Sequence, residues 1–151
     1  MNKPILFIGA EMLMSILMRR IKNLKTDKKT IIVFYACPAG NTIEMTIGKQ
    51  MEDGDDWHYD IQHIGAQTRF LRNTLKDKNI ITIYLQTTDN AWQLYDDHHS
   101  NYVSLIQQMA TSILTQFSDF DYKVILNSYS VGGSWILRYM EGVSEIPSRI
   151  K

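Results

Sequence analysis

At 151 residues the chain is long enough for one domain with a real core, and its sixteen basic residues are matched by sixteen acidic ones. That balance, with neither sign massed in one half, excludes the basic footprint of a nucleic-acid binder. The lone Cys37 excludes an internal disulfide framework and a cysteine-built metal site, and it fits a reducing, cytoplasmic setting.

Residues 4–18 are mostly apolar, with Lys3 before them and Arg19, Arg20 and Lys22 after them. Glu11 interrupts the run, which is shorter than the about 20 residues that cross a bilayer, and no small-x-small cleavage site follows. The expectation is a short strand over 5–8 and an amphipathic helix over 11–24, with no membrane span. Leu13, Ile16, Leu17 and Ile21 recur there at helical spacing.

A charged turn over 26–30 leads into 31–36, a continuous apolar run of the kind buried on both faces in a parallel sheet. Cys37-Pro38-Ala39-Gly40-Asn41 breaks it, 42–51 is either a helix or a covering loop, and Gly54-Asp55-Asp56 closes the segment. Residues 59–64 read as a short strand, and 67–75 as a helix with Phe70, Leu71 and Leu75 toward the core. His58 and His63 read as partly buried packing residues, and the methionines as core filler. A second strong strand covers 79–85, followed by a polar loop over 86–100 and a helix over 101–117 with a wide apolar stripe. A third strand spans 123–127 and a helix 134–141. Strands alternating with helices imply a single α/β domain over 1–151, a three-layer sandwich with a mainly parallel sheet.

Between the last strand and the last helix stands Ser128-Tyr129-Ser130-Val131-Gly132. Small residues flank Ser130 two positions on either side, as in G-x-S-x-G, where a serine is held at the apex of a sharp strand-to-helix turn. The plain alternative is an ordinary loop in which Ser130 or Ser134 caps the helix. This motif and the order of elements over 29–151 resemble the N-terminal half of an α/β-hydrolase-fold protein. The resemblance implies Ser130 as nucleophile on a small-molecule ester, thioester or amide. It also implies an oxyanion hole made by the backbone N–H of Val131 with one from Cys37, Ala39 or Gly40. The loop at 35–41 departs from the family in lacking a His-Gly pair, and Pro38 has no N–H to give.

The family places an acid and then a histidine after the serine, and no histidine follows Ser130 here. Three expectations follow: a chain that continues in nature with the missing strands, a non-catalytic scaffold, or recruitment of an upstream base. For the last, His98 and His99 are the candidates, in a loop at the carboxyl edge of the sheet. The same Asp96-Asp97-His98-His99 run also reads as a weak metal site or a solvated polar loop. A sheet that ends at 123–127 leaves an edge to be covered by self-association or by a completing partner chain.

A second, shorter resemblance covers 31–44, which is similar to the first strand and phosphate loop of flavodoxins. It implies that Gly40, Asn41 and Thr42 hold an FMN phosphate at a helix start, with Trp92, Tyr95 or Tyr129 as stacking partners. Ala36 and Pro38 stand where that loop carries hydroxyls. The hydrolase reading expects no cofactor.

Overall fold

A computed structural model describes residues 24–150. The strand expected over 5–8 and nearly all of the helix expected over 11–24 therefore lie outside the described residues. Three strands, β1 (Lys29–Ala36), β2 (Lys78–Leu85) and β3 (Tyr122–Ser128), make one parallel sheet in the order β2-β1-β3. Helices α1 (Ile43–Ile47) and α2 (Ile64–Thr74) follow β1. Helices α3 (Trp92–His98) and α4 (Tyr102–Thr115) follow β2, and α5 (Gly133–Glu141) follows β3. The architecture is α/β. No described helix is long and apolar enough to cross a membrane.

The period of two along β1 and β2 sorts their side chains between two cores. Ile32, Phe34 and Ala36 of β1, with Ile81, Ile83 and Leu85 of β2, enter the larger core with Trp92, Ile106, Ile113 and Trp135 from α3, α4 and α5. Tyr35 and Tyr84 face the other side, where Ile43 of α1 and Ile64 of α2 cover them. Because both faces are covered, these strands read as unbroken apolar runs. Phe34 and Trp135 meet edge to face at 5.7 Å, which ties the middle strand directly to α5. On the smaller side, buried Thr68 and Thr82 hydroxyls satisfy each other at 2.7 Å.

The third strand is covered less completely. Val124 is buried in the larger core, whereas Ile125, pointing the opposite way, remains 37% exposed. A segment ending at Ile150 runs alongside in parallel, with the Val124 N–H donating to Arg149 O at 2.6 Å.

Three local expectations are corrected. Residues 59–64 contain no strand: the Asp56 carboxylate accepts from the His58 N–H at 2.9 Å, starting a 3₁₀ turn over Trp57–Asp60, and α2 begins at Ile64. That helix starts three residues earlier than the pattern suggested and buries Ile64 and Thr68, leaving Phe70 66% exposed. Trp57 is likewise 67% exposed and stacks on His58 at 3.9 Å, while His58, like His63, is partly buried as expected. The polar loop over 86–100 contains α3, a two-turn helix held from one side. Trp92 is buried, and Asp96 accepts from Arg138 Nε of α5 at 2.7 Å.

Candidate functional site

The chain leaves β1 for β2 on one side and later returns to β3 on the other. The carboxyl ends of β1 and β3 therefore flank a topological switch point, the place where open parallel sheets present ligand sites. Ala36 and Ser128 are the last paired residues of these strands. The turns that follow, 37–41 and 129–132, form the two walls.

The turn after β3 is sharp for a definable reason. A Cβ built on Gly132 would lie 2.3 Å from Ala36 O, so the chain drops into α5 directly against the end of β1, where only glycine fits. Tyr129 is still extended, and Gly132 N–H already donates to Tyr129 O at 3.1 Å. The reversal falls on Ser130, whose φ of +53° is left-handed, a conformation that costs a side-chain-bearing residue roughly 1–2 kcal/mol. Ser130 is exposed, and neither its Oγ nor the Val131 N–H has a hydrogen-bond partner among the described residues. Ser128, two residues before Ser130, is not among the left-handed residues, and its Oγ lies 3.7 Å from where a Cβ on Gly133 would be. Ser130 is not an N-cap of the usual kind, since no side-chain cap bond is made at this helix start.

The turn after β1 narrows which of its N–H groups could face a ligand. The Cys37 N–H extends the sheet ladder to Leu85 O at 2.8 Å, and the Gly40 N–H donates to Asn90 O at 3.0 Å. Neither is free to face a substrate. Ala39 N–H has no partner among the described residues and is the unengaged donor of this turn. The Cys37 thiol is buried, and burial pushes it up to about 11.

His98 and His99 gather around a residue that the sequence reading passed over. Asp89 Oδ1 lies 2.7 Å from His98 Nδ1, and Oδ2 lies 3.6 Å from His99 Nε2 and accepts from Thr87 Oγ1 at 3.1 Å. The His98 hydrogen bond, seconded by that from Thr87, holds the Asp89 carboxyl below the usual carboxylate range. Tyr95 packs on the His99 ring at 4.1 Å. Helix α3 packs against the 130–132 turn, yet none of the chain's four histidines is hydrogen-bonded to Ser130. Asp89 carried no signal in sequence, because nine residues separate it from His98 and only the fold of the loop closes that distance.

The residues of the flavodoxin-like stretch are engaged internally. Beyond the Gly40 N–H, the Ile43 N–H donates to Gln86 Oε1 at 2.9 Å and the Met45 N–H to Thr42 Oγ1 at 3.2 Å, while α1 has only five residues. Of the aromatic candidates, Trp92 is 2% exposed inside the core, Tyr95 is half-buried, and Tyr129 is exposed. Among the described residues no group of three or more His, Cys, Asp or Glu side chains could hold a metal ion.

No protein-family model matches the chain, and no curated protein or solved structure matches it either.

Proposed function

We propose that the chain is a serine hydrolase of α/β-hydrolase type, with Ser130 attacking the carbonyl of an ester, thioester or amide. The observation that carries the reading is the left-handed, exposed and unpartnered Ser130 at the apex of a strand-turn-helix, pinned by Gly132 against Ala36 O. The N–H groups of Val131 and Ala39 serve as oxyanion donors, and a single donor of this kind contributes roughly 3 kcal/mol to the transition state. His98, oriented through Nδ1 by Asp89, is the proposed base for the Ser130 proton. Ser130 Oγ bonds to the carbonyl carbon as its proton leaves, the leaving group departs with that proton, and water releases the acyl group.

Steady-state hydrolysis of 4-nitrophenyl acetate tests this. Wild-type turnover that falls to the uncatalysed rate in Ser130→Ala supports the reading; turnover unchanged by that substitution removes it. A second reading, a non-catalytic interaction subunit, is favoured by the exposed Ile125 on the open face of β3. It predicts self-association by light scattering that Ile125→Glu abolishes.

A further inference from the structure

The loop after β2 holds two neighbours at once, through consecutive residues. Asp89 is first fixed to its own backbone: its N–H donates to Thr87 Oγ1 at 3.1 Å, and that hydroxyl donates to Asp89 Oδ2 at 3.1 Å. The carboxylate set in this way faces His98 in the last turn of α3 at 2.7 Å, and His99, just past that turn, at 3.6 Å. Asn90, the next residue, is left-handed with φ of +64°, and its carbonyl accepts from the Gly40 N–H at 3.0 Å. The Asp89 side chain thus ties the end of α3, and the Asn90 main chain ties the turn after β1. A cavity of about 60 Å³ lies between the two loops, lined by Gly40 from one and by Thr87 and Asn90 from the other.

We propose that this bracket is a pH-sensitive latch, in which protonation of His98 and His99 tightens the Asp89–Asn90 segment and, through Asn90 O, its hold on the turn after β1. The charges give its direction. Neutral His98 donates one ordinary hydrogen bond from Nδ1, whereas His99 at 3.6 Å is beyond hydrogen-bond distance and attracts the carboxylate only as a cation. Protonation makes the His98 bond charge-assisted, roughly twice as strong, and switches on the attraction from His99. Asp89 stays ionised meanwhile, because the His98 hydrogen bond, seconded by that from Thr87, holds its carboxyl below the usual range. The latch is therefore tight below the histidine range, loose above it, and lost in acid only as Asp89 itself takes a proton. Of the other ionisable groups on α3, Asp96 accepts from Arg138 Nε at 2.7 Å, Asp97 is exposed, and Tyr95 packs on the His99 ring at 4.1 Å. The elements packed against α3 add Arg138 and Glu141 of α5, which bond each other at 3.1 Å, and the 130–132 turn adds none. Asp89 is thus the carboxylate that the two histidines share. The latch does not depend on Ser130 being a nucleophile.

Solvent-exchange NMR on the full-length protein tests it, through the protection factor of the Gly40 amide, which removes the intrinsic pH dependence of exchange. The expected result is a Gly40 protection factor about two- to fivefold higher at pH 5.5 than at pH 8, the range that an exposed ion pair gives. The Phe117 amide, which donates to Leu114 O at 2.9 Å outside the bracket, should show no such change. The difference at Gly40 should vanish in Asp89→Asn and in the double variant His98→Gln, His99→Gln, which keeps the Asp89 turn with Thr87 intact. Equal Gly40 protection at the two pH values in the wild type overturns the latch, as does a difference that persists in either variant.

Discussion

The two turns at the switch point are built from similar residues and do opposite things with them. After β1, the left-handed position is a glycine, Gly40, around which a Cβ would find nothing within 4 Å. The N–H groups of Cys37, Gly40 and Asn41 all donate to carbonyls of the protein. After β3, the glycine stands where no side chain has room, and the left-handed position is a serine with an open hydroxyl beside an open N–H. Packing against Ala36 explains Gly132. It does not explain why position 130 carries a side chain, since glycine would adopt the same φ without strain. Strain retained where glycine would relieve it points to a use for the hydroxyl.

The comparison breaks most visibly at Gly132. Gly132→Ala should destabilise the protein by about 3 kcal/mol or more in urea unfolding, because the displaced neighbour is backbone and not a flexible side chain. Gly133→Ala, where the nearest foreign atom would be Ser128 Oγ at 3.7 Å, should be neutral or raise stability by a few tenths of a kcal/mol. Equal effects at the two positions would show that the close approach to β1 is not what shapes the elbow.

A second contrast concerns pH. Burial raises the Cys37 thiol from its ordinary 9.0 to about 11, so the folded state favours the neutral form. The corresponding stability is complete below pH 9 and is lost as pH rises from about 9 to about 11, amounting to about 3 kcal/mol. Tyr35 and Tyr84, pushed by burial to about 12, add to the loss above pH 10. Urea unfolding at pH 8 and 10.5 should therefore show a larger drop for the wild type than for Cys37→Ala. An identical drop would place the thiol in contact with solvent.

The smallest expected effects bear on the strain itself. Ser130→Gly should stabilise the fold by about 1 kcal/mol while removing the proposed nucleophile. Gly40→Ala should cost about 1 kcal/mol through backbone strain alone, with no clash to relieve. Thermal unfolding of both variants checks the opposed signs; a destabilised Ser130→Gly would mean that the hydroxyl is structural.

The strands were readable because β1 and β2 are covered on both faces, so apolar continuity marks them directly: 31–36 and 79–85 are each extended by only one or two residues in the structure. Helix α4 was readable for a different reason, an apolar stripe at helical spacing that buries Ile106, Ala110 and Ile113. Helix α3 was not, because Trp92 is its one buried residue, with Tyr95 only partly buried beside it, and its other fixed point is an ion pair to α5, invisible to any periodicity. Phe70 misled because a large apolar residue on a helix was assigned to the core, while the true register of α2 places Thr68 there, bonded to Thr82. At the site, the sharp strand-to-helix turn was legible from small residues around Ser130. Which N–H of the turn after β1 stays unengaged was not, since it depends on which N–H groups the neighbouring loop consumes. Asn90 O and Leu85 O decide that from a distant part of the chain.

The central claim is that Ser130 is a nucleophile because of how the turn holds it. Incubation of the full-length protein with a fluorophosphonate, followed by peptide mass spectrometry, tests it in one measurement. One phosphonyl adduct, located on Ser130 and absent from Ser130→Gly, is the predicted result. Adducts spread over Ser128, Ser134 and other serines at equal rates, or none on the folded protein, would contradict it.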